Sequence, residues 1–237
     1  MFLDDFHSVQ DGTIRITARQ GSRFAKEVAG DFNPIHDPDA KRFCVPGDLL
    51  FALVLARYGL STRMRFGFRG MLGDDVAIRF RESGSGTLDI VDAGGKVYLE
   101  VERAGPIIRG EEVVEAFTRR YVAFSARNFP HFLKPLMAEK GVMFNPDRPL
   151  VIYDSMSFEL RNLDLDSPVM ELANATLDVS GKRGDALIAF DIVAAGERVG
   201  GGSKKLILSG LRAYDEERLQ AFIAEFTRRM EDYRAGY

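Results

Sequence analysis

Cysteine is almost missing from this 237-residue sequence. The single thiol, Cys44, cannot close an internal disulfide, which excludes a cross-linked secreted scaffold and fits a reducing cytosol. An excess of either charge is missing too. There are 32 Lys and Arg against 35 Asp and Glu, a net charge of −3, too even a balance for nucleic acid or an anionic membrane as the main partner. The opening residues, Met1-Phe2-Leu3-Asp4-Asp5, carry no basic segment ahead of an apolar one, so no secretory signal is expected. No apolar run approaches the roughly 20 residues that span a bilayer; the longest is Leu49 to Ala56. His7 and His131 lack metal-ligand spacing to other His or Cys residues. A soluble cytoplasmic protein without metal or redox cofactor is expected.

What is present is apolar material, 46% of residues, enough for one large domain or two small ones. Thr13 to Thr17 alternates like a short strand, and Ser22 to Ala29 reads as a brief helix. A polar loop, Gly30 to Pro46, follows. Gly47 to Tyr58 has apolar residues around its whole circumference, the mark of a helix buried on all sides, and Gly59 is placed to end it. Short β-rich runs come next, at Met64–Phe68, Val76–Phe80, Thr87–Val91, Val97–Val101 and Val113–Phe124, separated by glycine-rich turns.

The second half repeats that order more weakly. A helix is expected at Phe132–Ala138, interrupted near Pro135. Strands are expected at Leu150–Leu160, Val169–Val179, Ala186–Val193 and Lys205–Leu211. Gly200-Gly201-Gly202-Ser203-Lys204-Lys205 lacks the residue order of a phosphate loop and reads as a flexible hairpin. Asp215 to Tyr233 closes as an amphipathic helix with Leu219, Phe222, Ile223, Phe226, Met230 and Tyr233 on one face. The expected division is residues 1–126 and 127–237.

Chemistry concentrates in Gly30-Asp31-Phe32-Asn33-Pro34-Ile35-His36. A carboxylate and an imidazole are the natural pair for moving protons near neutral pH. Asp and Asn also commonly bond to nearby backbone in a turn, which is the bland account of the same residues. Gly47 opens the buried helix, where free N–H groups can face a negatively polarised oxygen. Asp48 reads either as a helix-terminal carboxylate favoured by the dipole or as a base or nucleophile. Cys44 has no evident base and reads as a small buried apolar group. Arg63, Arg65, Arg69 and Arg79 alternate on early strands, more a solvated face than a phosphate pocket.

The stretch GDFNPIH resembles the hydratase motif of the MaoC-like, or (R)-specific enoyl-CoA hydratase, family, in which G-D-x-N-P-[LIV]-H precedes a buried helix. Phe68-Arg69-Gly70-Met71-Leu72-Gly73-Asp74-Asp75-Val76 is similar to the family's strand and following turn, and the likeness covers about residues 10 to 125. It implies an α+β hotdog fold, an antiparallel sheet wrapped around a central helix, either dimeric or fused as a double hotdog. It also implies hydration of trans-2-enoyl thioesters of coenzyme A or acyl carrier protein, with the thioester as the only partner molecule. Asp31 and His36 would activate the water, and Asn33 would orient one of them or the water. Gly47, with Asp48 beside it, would bind the thioester carbonyl. Three departures stand out: Arg42 lies six positions after the motif His, where the family usually has a small residue, Pro46-Gly47-Asp48 replaces the usual His-Gly at the helix entrance, and the segment between His36 and Gly47 is shorter than in typical hydratases. Hydrolysis of acyl thioesters through Asp31 or Asp48, and non-catalytic acyl-thioester binding, are the alternative readings.

Overall fold

The computed structural model describes residues 2–236. The first half opens with strands β1 (Ser8–Gln10) and β2 (Thr13–Arg15). Helix α1 (Ala18–Arg23) starts at Thr17, whose hydroxyl accepts from the Gln20 N–H while the Gln20 side chain accepts from the Thr17 N–H, a reciprocal capping box. The helix runs on into a wider turn, Phe24–Ala29. Helix α2 (Gly47–Tyr58) is buried from Asp48 through Leu55 without a break, as its all-round apolar pattern requires. Gly59 ends it with φ of 82°, and a Cβ there would lie 2.5 Å from the Ile108 carbonyl oxygen. Strands β3 (Leu60–Phe68), β4 (Ile78–Glu82), β5 (Thr87–Asp92) and β6 (Val97–Ile108) follow.

The run Val113–Phe124 is not a strand. It lies within helix α3 (Glu111–Ala126), whose buried residues Val114, Phe117, Thr118, Tyr121, Val122 and Ser125 fall at helical spacing. Glu111 and Glu112 in the first turn suit the helix dipole. Periodicity overrides the β-rich composition here. Helix α4 (Leu133–Glu139) is likewise unbroken at Pro135, its third residue, where a missing N–H forfeits no intrahelical bond. Then come β7 (Val142–Met143), β8 (Val151–Leu160), β9 (Val169–Ser180), β10 (Arg183–Ala194), β11 (Glu197–Ser209), β12 (Arg212–Ala213) and helix α5 (Glu216–Ala235).

Ten strands form one sheet in the order β1-β2-β4-β5-β6-β3-β8-β11-β10-β9. The run β8-β11-β10-β9 mirrors β3-β6-β5-β4, and the halves meet where β3 pairs antiparallel with β8, Arg63 opposite Glu159 through Gly67 opposite Ser155. Helices α2 and α3 lie together in the core, with Phe51 of α2 stacked on Tyr121 of α3 at 4.4 Å between ring centres. Phe158 and Phe190 from the second half pack on the same Tyr121. An antiparallel sheet wrapped around central helices and doubled along one chain is the double hotdog fold.

Gly200-Gly201-Gly202 is a further correction: these residues lie inside β11, not in a hairpin. A Cβ at Gly202 would sit 2.2 Å from the Ser157 carbonyl oxygen and 2.6 Å from the Phe190 ring. Glycine there permits close approach of strand and ring. The chain reverses instead at Ala195-Gly196, both with positive φ.

Candidate active site

The motif loop is built by nested local hydrogen bonds. Gly30, with φ of 73°, ends the turn Phe24–Ala29, and the Asp31 N–H donates to the Ala25 carbonyl at 2.7 Å. Asp31 Oδ1 accepts from the Asn33 N–H at 2.9 Å, and Asn33 Oδ1 accepts from the Ile35 N–H at 3.2 Å. Pro34 then opens a single 3-10 turn, Pro34–His36. The bland turn chemistry expected of Asp and Asn is therefore present, and it leaves Asp31 Oδ2 free to face the His36 ring. Asn33 bears on the pair through its backbone; its side chain caps the turn.

The imidazole is fixed from behind. His36 Nδ1 lies 2.7 Å from the Cys44 carbonyl oxygen, while the Cys44 N–H donates to the Ile35 carbonyl. A carbonyl only accepts, so Nδ1 carries a proton and Nε2 faces Asp31 Oδ2 at 3.6 Å. That gap is too long for a direct hydrogen bond and suits one water shared between the two atoms. The Cys44 thiol is pushed up to about 11 by burial, so it is a weak nucleophile.

Both side chains open onto a cavity of about 270 Å³. Leu50, Leu72, Leu133, Phe144 and Leu206 make it largely apolar, Gly47 lies at the head of α2, and Phe222 and Phe226 of α5 close one side. Helix α5 also covers the motif loop, where Phe226 and Tyr233 pack edge-on against Phe32. Its apolar stripe has found the site, which neither composition nor period foretold. A Cβ on Gly47 would come within 2.8 Å of the Phe68 ring and 3.1 Å of the Tyr153 ring. Gly47→Ala is thus expected to displace one of two cavity-lining aromatics and lower stability by about 1–3 kcal/mol in urea denaturation.

Behind this wall lies a buried charged network. Asp48 is neither an exposed cap nor a lining residue of the cavity. It is 3% exposed, and its carboxylate accepts from Ser125 Oγ at 3.1 Å and from Tyr153 Oη at 3.2 Å, both residues that do line the cavity. Lys204, fully buried, lies 4.0 Å from Asp48 Oδ1. Its ammonium also donates to Ser125 Oγ and, at 3.3 Å, to the Tyr121 carbonyl, and sits 3.8 Å from the Tyr121 ring centre. Burial pushes the Asp48 carboxyl upward against the pull of Lys204, and the nearby Asp31 charge adds to that push. Burial also holds the Lys204 ammonium down to about 8, with Asp48 opposing it. The phenols of Tyr121 and Tyr153 are driven well above their usual range by burial and by Asp48. Asn128 Nδ2 donates to Tyr153 Oη at 3.4 Å, leaving its carbonyl oxygen unpartnered among the described residues.

Lys204, Ser125, Tyr153 and Asn128 escape a motif search. The available signal was one of parity: on β11 the residues Lys204, Leu206 and Leu208 share the buried face, so an ammonium occupies an inward position. Arg63, Arg65 and Arg79 lie exposed on their strands, and Arg69 is bonded to Glu100 at the cavity edge. Among the described residues no three His, Cys, Asp or Glu side chains gather as metal ligands.

Several solved structures are similar to this chain. A protein of unknown function with hot dog fold from Alicyclobacillus acidocaldarius is 10% identical with a TM-score of 0.48, over 91% of this chain and 99% of that one. An acyl-CoA thioesterase II, TesB2, from Mycobacterium marinum is 12% identical with a TM-score of 0.40, over 91% and 99%. A MaoC-like dehydratase is 9% identical with a TM-score of 0.45, over 85% and 97%. No curated protein matches the sequence. One family model, described as protein of unknown function (DUF3581), matches residues 1–217.

Proposed function

The chain belongs to the DUF3581 family, and from its site we propose that it adds water to trans-2-enoyl thioesters. The observation that carries the reading is the facing of Asp31 Oδ2 and His36 Nε2 at 3.6 Å on the wall of an apolar cavity. One water can donate a hydrogen bond to each atom, which turns its lone pair toward the cavity. Its oxygen attacks C3 of the enoyl group, and the carboxylate–imidazole pair takes the proton released. The electrons of the double bond move onto the thioester carbonyl as an enolate. The pair then returns a proton to C2, so that one water is added and the side chains end as they began.

Enolate charge needs a donor. The Gly47 N–H, at the first turn of α2, has no intrahelical acceptor and gains from the helix dipole; a donor aimed at such an oxygen is worth about 3–4 kcal/mol. The apolar wall receives the acyl chain. In this reading residues 1–126 supply the chemistry and residues 127–237 supply cover, through Tyr153, Leu206 and α5. Asp48 serves by holding Tyr153 and Ser125 in place, which argues against it as the base of a hydrolase.

Incubation with crotonyl-CoA separates the reactions. Loss of the conjugated-enone absorbance without release of free thiol is expected. Thiol release at the rate of absorbance loss would replace hydration with hydrolysis, and binding without either signal would leave an acyl-thioester receptor.

A further inference from the structure

A second pocket, of about 410 Å³, has four basic residues in its lining, drawn from distant parts of the chain. Arg42 comes from the loop after the motif histidine, Arg148 from the segment between β7 and β8, Lys182 from the β9–β10 turn and Arg212 from β12. No acid lines it. Among the described residues none of Arg42, Arg148 and Lys182 has a carboxylate within 4 Å, while Arg212 has only Asp147, at 4.0 Å and already paired with Arg218. Asn145 and Ser209 add uncharged donors to the same wall. In a chain of net charge −3, three of these four cations have no carboxylate partner among the described residues, which leaves a local excess of positive charge. Guanidinium groups match the paired oxygens of a phosphate.

One segment contributes to the walls of both this pocket and the catalytic cavity. Residues 145, 148 and 150 line the one, while residues 144, 149 and 151 of the same segment line the other. The loop carrying Arg42 also supplies Cys44, a lining residue of the cavity and the backbone partner of His36. Arg42 is one of the positions at which the chain departs from the hydratase pattern.

We infer that this pocket binds the phosphate groups of a nucleotide-bearing thioester carrier, holding its polar end while the acyl end enters the neighbouring cavity. The identity of the carrier rests on the thioester reading above; anion binding by the pocket does not. The test uses adenosine 3′,5′-bisphosphate, titrated calorimetrically against the full chain and against the Arg148→Glu/Lys182→Glu variant. Both positions are exposed, and an unchanged thermal midpoint will show that the variant folds. The wild type is expected to bind the bisphosphate at least about tenfold more tightly than inorganic phosphate, and the variant to lose about tenfold or more of that affinity. If hydration is observed, the variant should raise KM for crotonyl-CoA with kcat unchanged and leave crotonyl-pantetheine, which has no phosphate, unaffected. Absence of bisphosphate binding by the wild type, equal binding of inorganic phosphate, or equal affinity in the variant would overturn the inference whatever the outcome of the hydration assay.

Discussion

Lys204→Met is expected to lower the free energy of unfolding by about 3–5 kcal/mol, a loss comparable with the whole stability of many domains. The ammonium is fully buried and the Asp48 carboxylate is 3% exposed. Removing the cation leaves an anion that water cannot reach, supported only by the hydroxyls of Ser125 and Tyr153. The pair itself adds little net stability, because desolvating two charges costs about what their attraction returns. The double variant Asp48→Asn/Lys204→Met should therefore recover most of the loss, since it removes both charges, keeps one acceptor oxygen for a hydroxyl and offers the other hydroxyl an amide N–H that it can accept. Urea denaturation of the two variants decides the matter. A single-variant loss below about 1 kcal/mol, or no recovery in the double variant, would show that the charges are not coupled as their positions require. Four elements meet at this pair: α2 through Asp48, α3 through Ser125, β8 through Tyr153 and β11 through Lys204. Both hydroxyl residues line the cavity, so the network also sets the shape of the site.

Asp31→Asn and His36→Ala are each expected to reduce hydration of crotonyl-CoA by about 10²–10⁴-fold while leaving the fold intact. The asparagine keeps an acceptor for the Asn33 N–H, so the turn survives, while the second oxygen, facing His36, is replaced by an uncharged amide nitrogen that donates and cannot accept from the water. The alanine gives up one hydrogen bond to the Cys44 carbonyl, worth about 1 kcal/mol. Near-native circular dichroism with near-native activity in both variants would remove these residues from the mechanism.

How far the chain could be read from its sequence depended on whether a signal was local. The helix Gly47–Tyr58 and the motif loop were legible because contiguous residues fix both: an unbroken apolar circumference in one, a Gly-Asp-x-Asn-Pro turn in the other. Helix α3 was misread because Val, Phe, Thr and Tyr favour strands by composition while their spacing favours a helix. The glycines of β11 looked like a turn because the atoms that demand them, the Ser157 carbonyl and the Phe190 ring, lie on neighbouring strands. Asp48 was legible as a helix-terminal carboxylate, but its partner stands 156 positions away in sequence, and no pattern within either segment announces the other. The cationic pocket is hidden for the same reason, being assembled from four segments that share no motif.

The central claim is that Asp31 and His36 act on one water. A double-mutant cycle in kcat on crotonyl-CoA measures it directly, with Asp31→Asn, His36→Ala and the two combined. Two groups that grip the same molecule fail together, so the combined variant is expected to be no slower than the slower single variant. Losses that multiply would mean that the carboxylate and the imidazole work on separate steps, and would contradict the account.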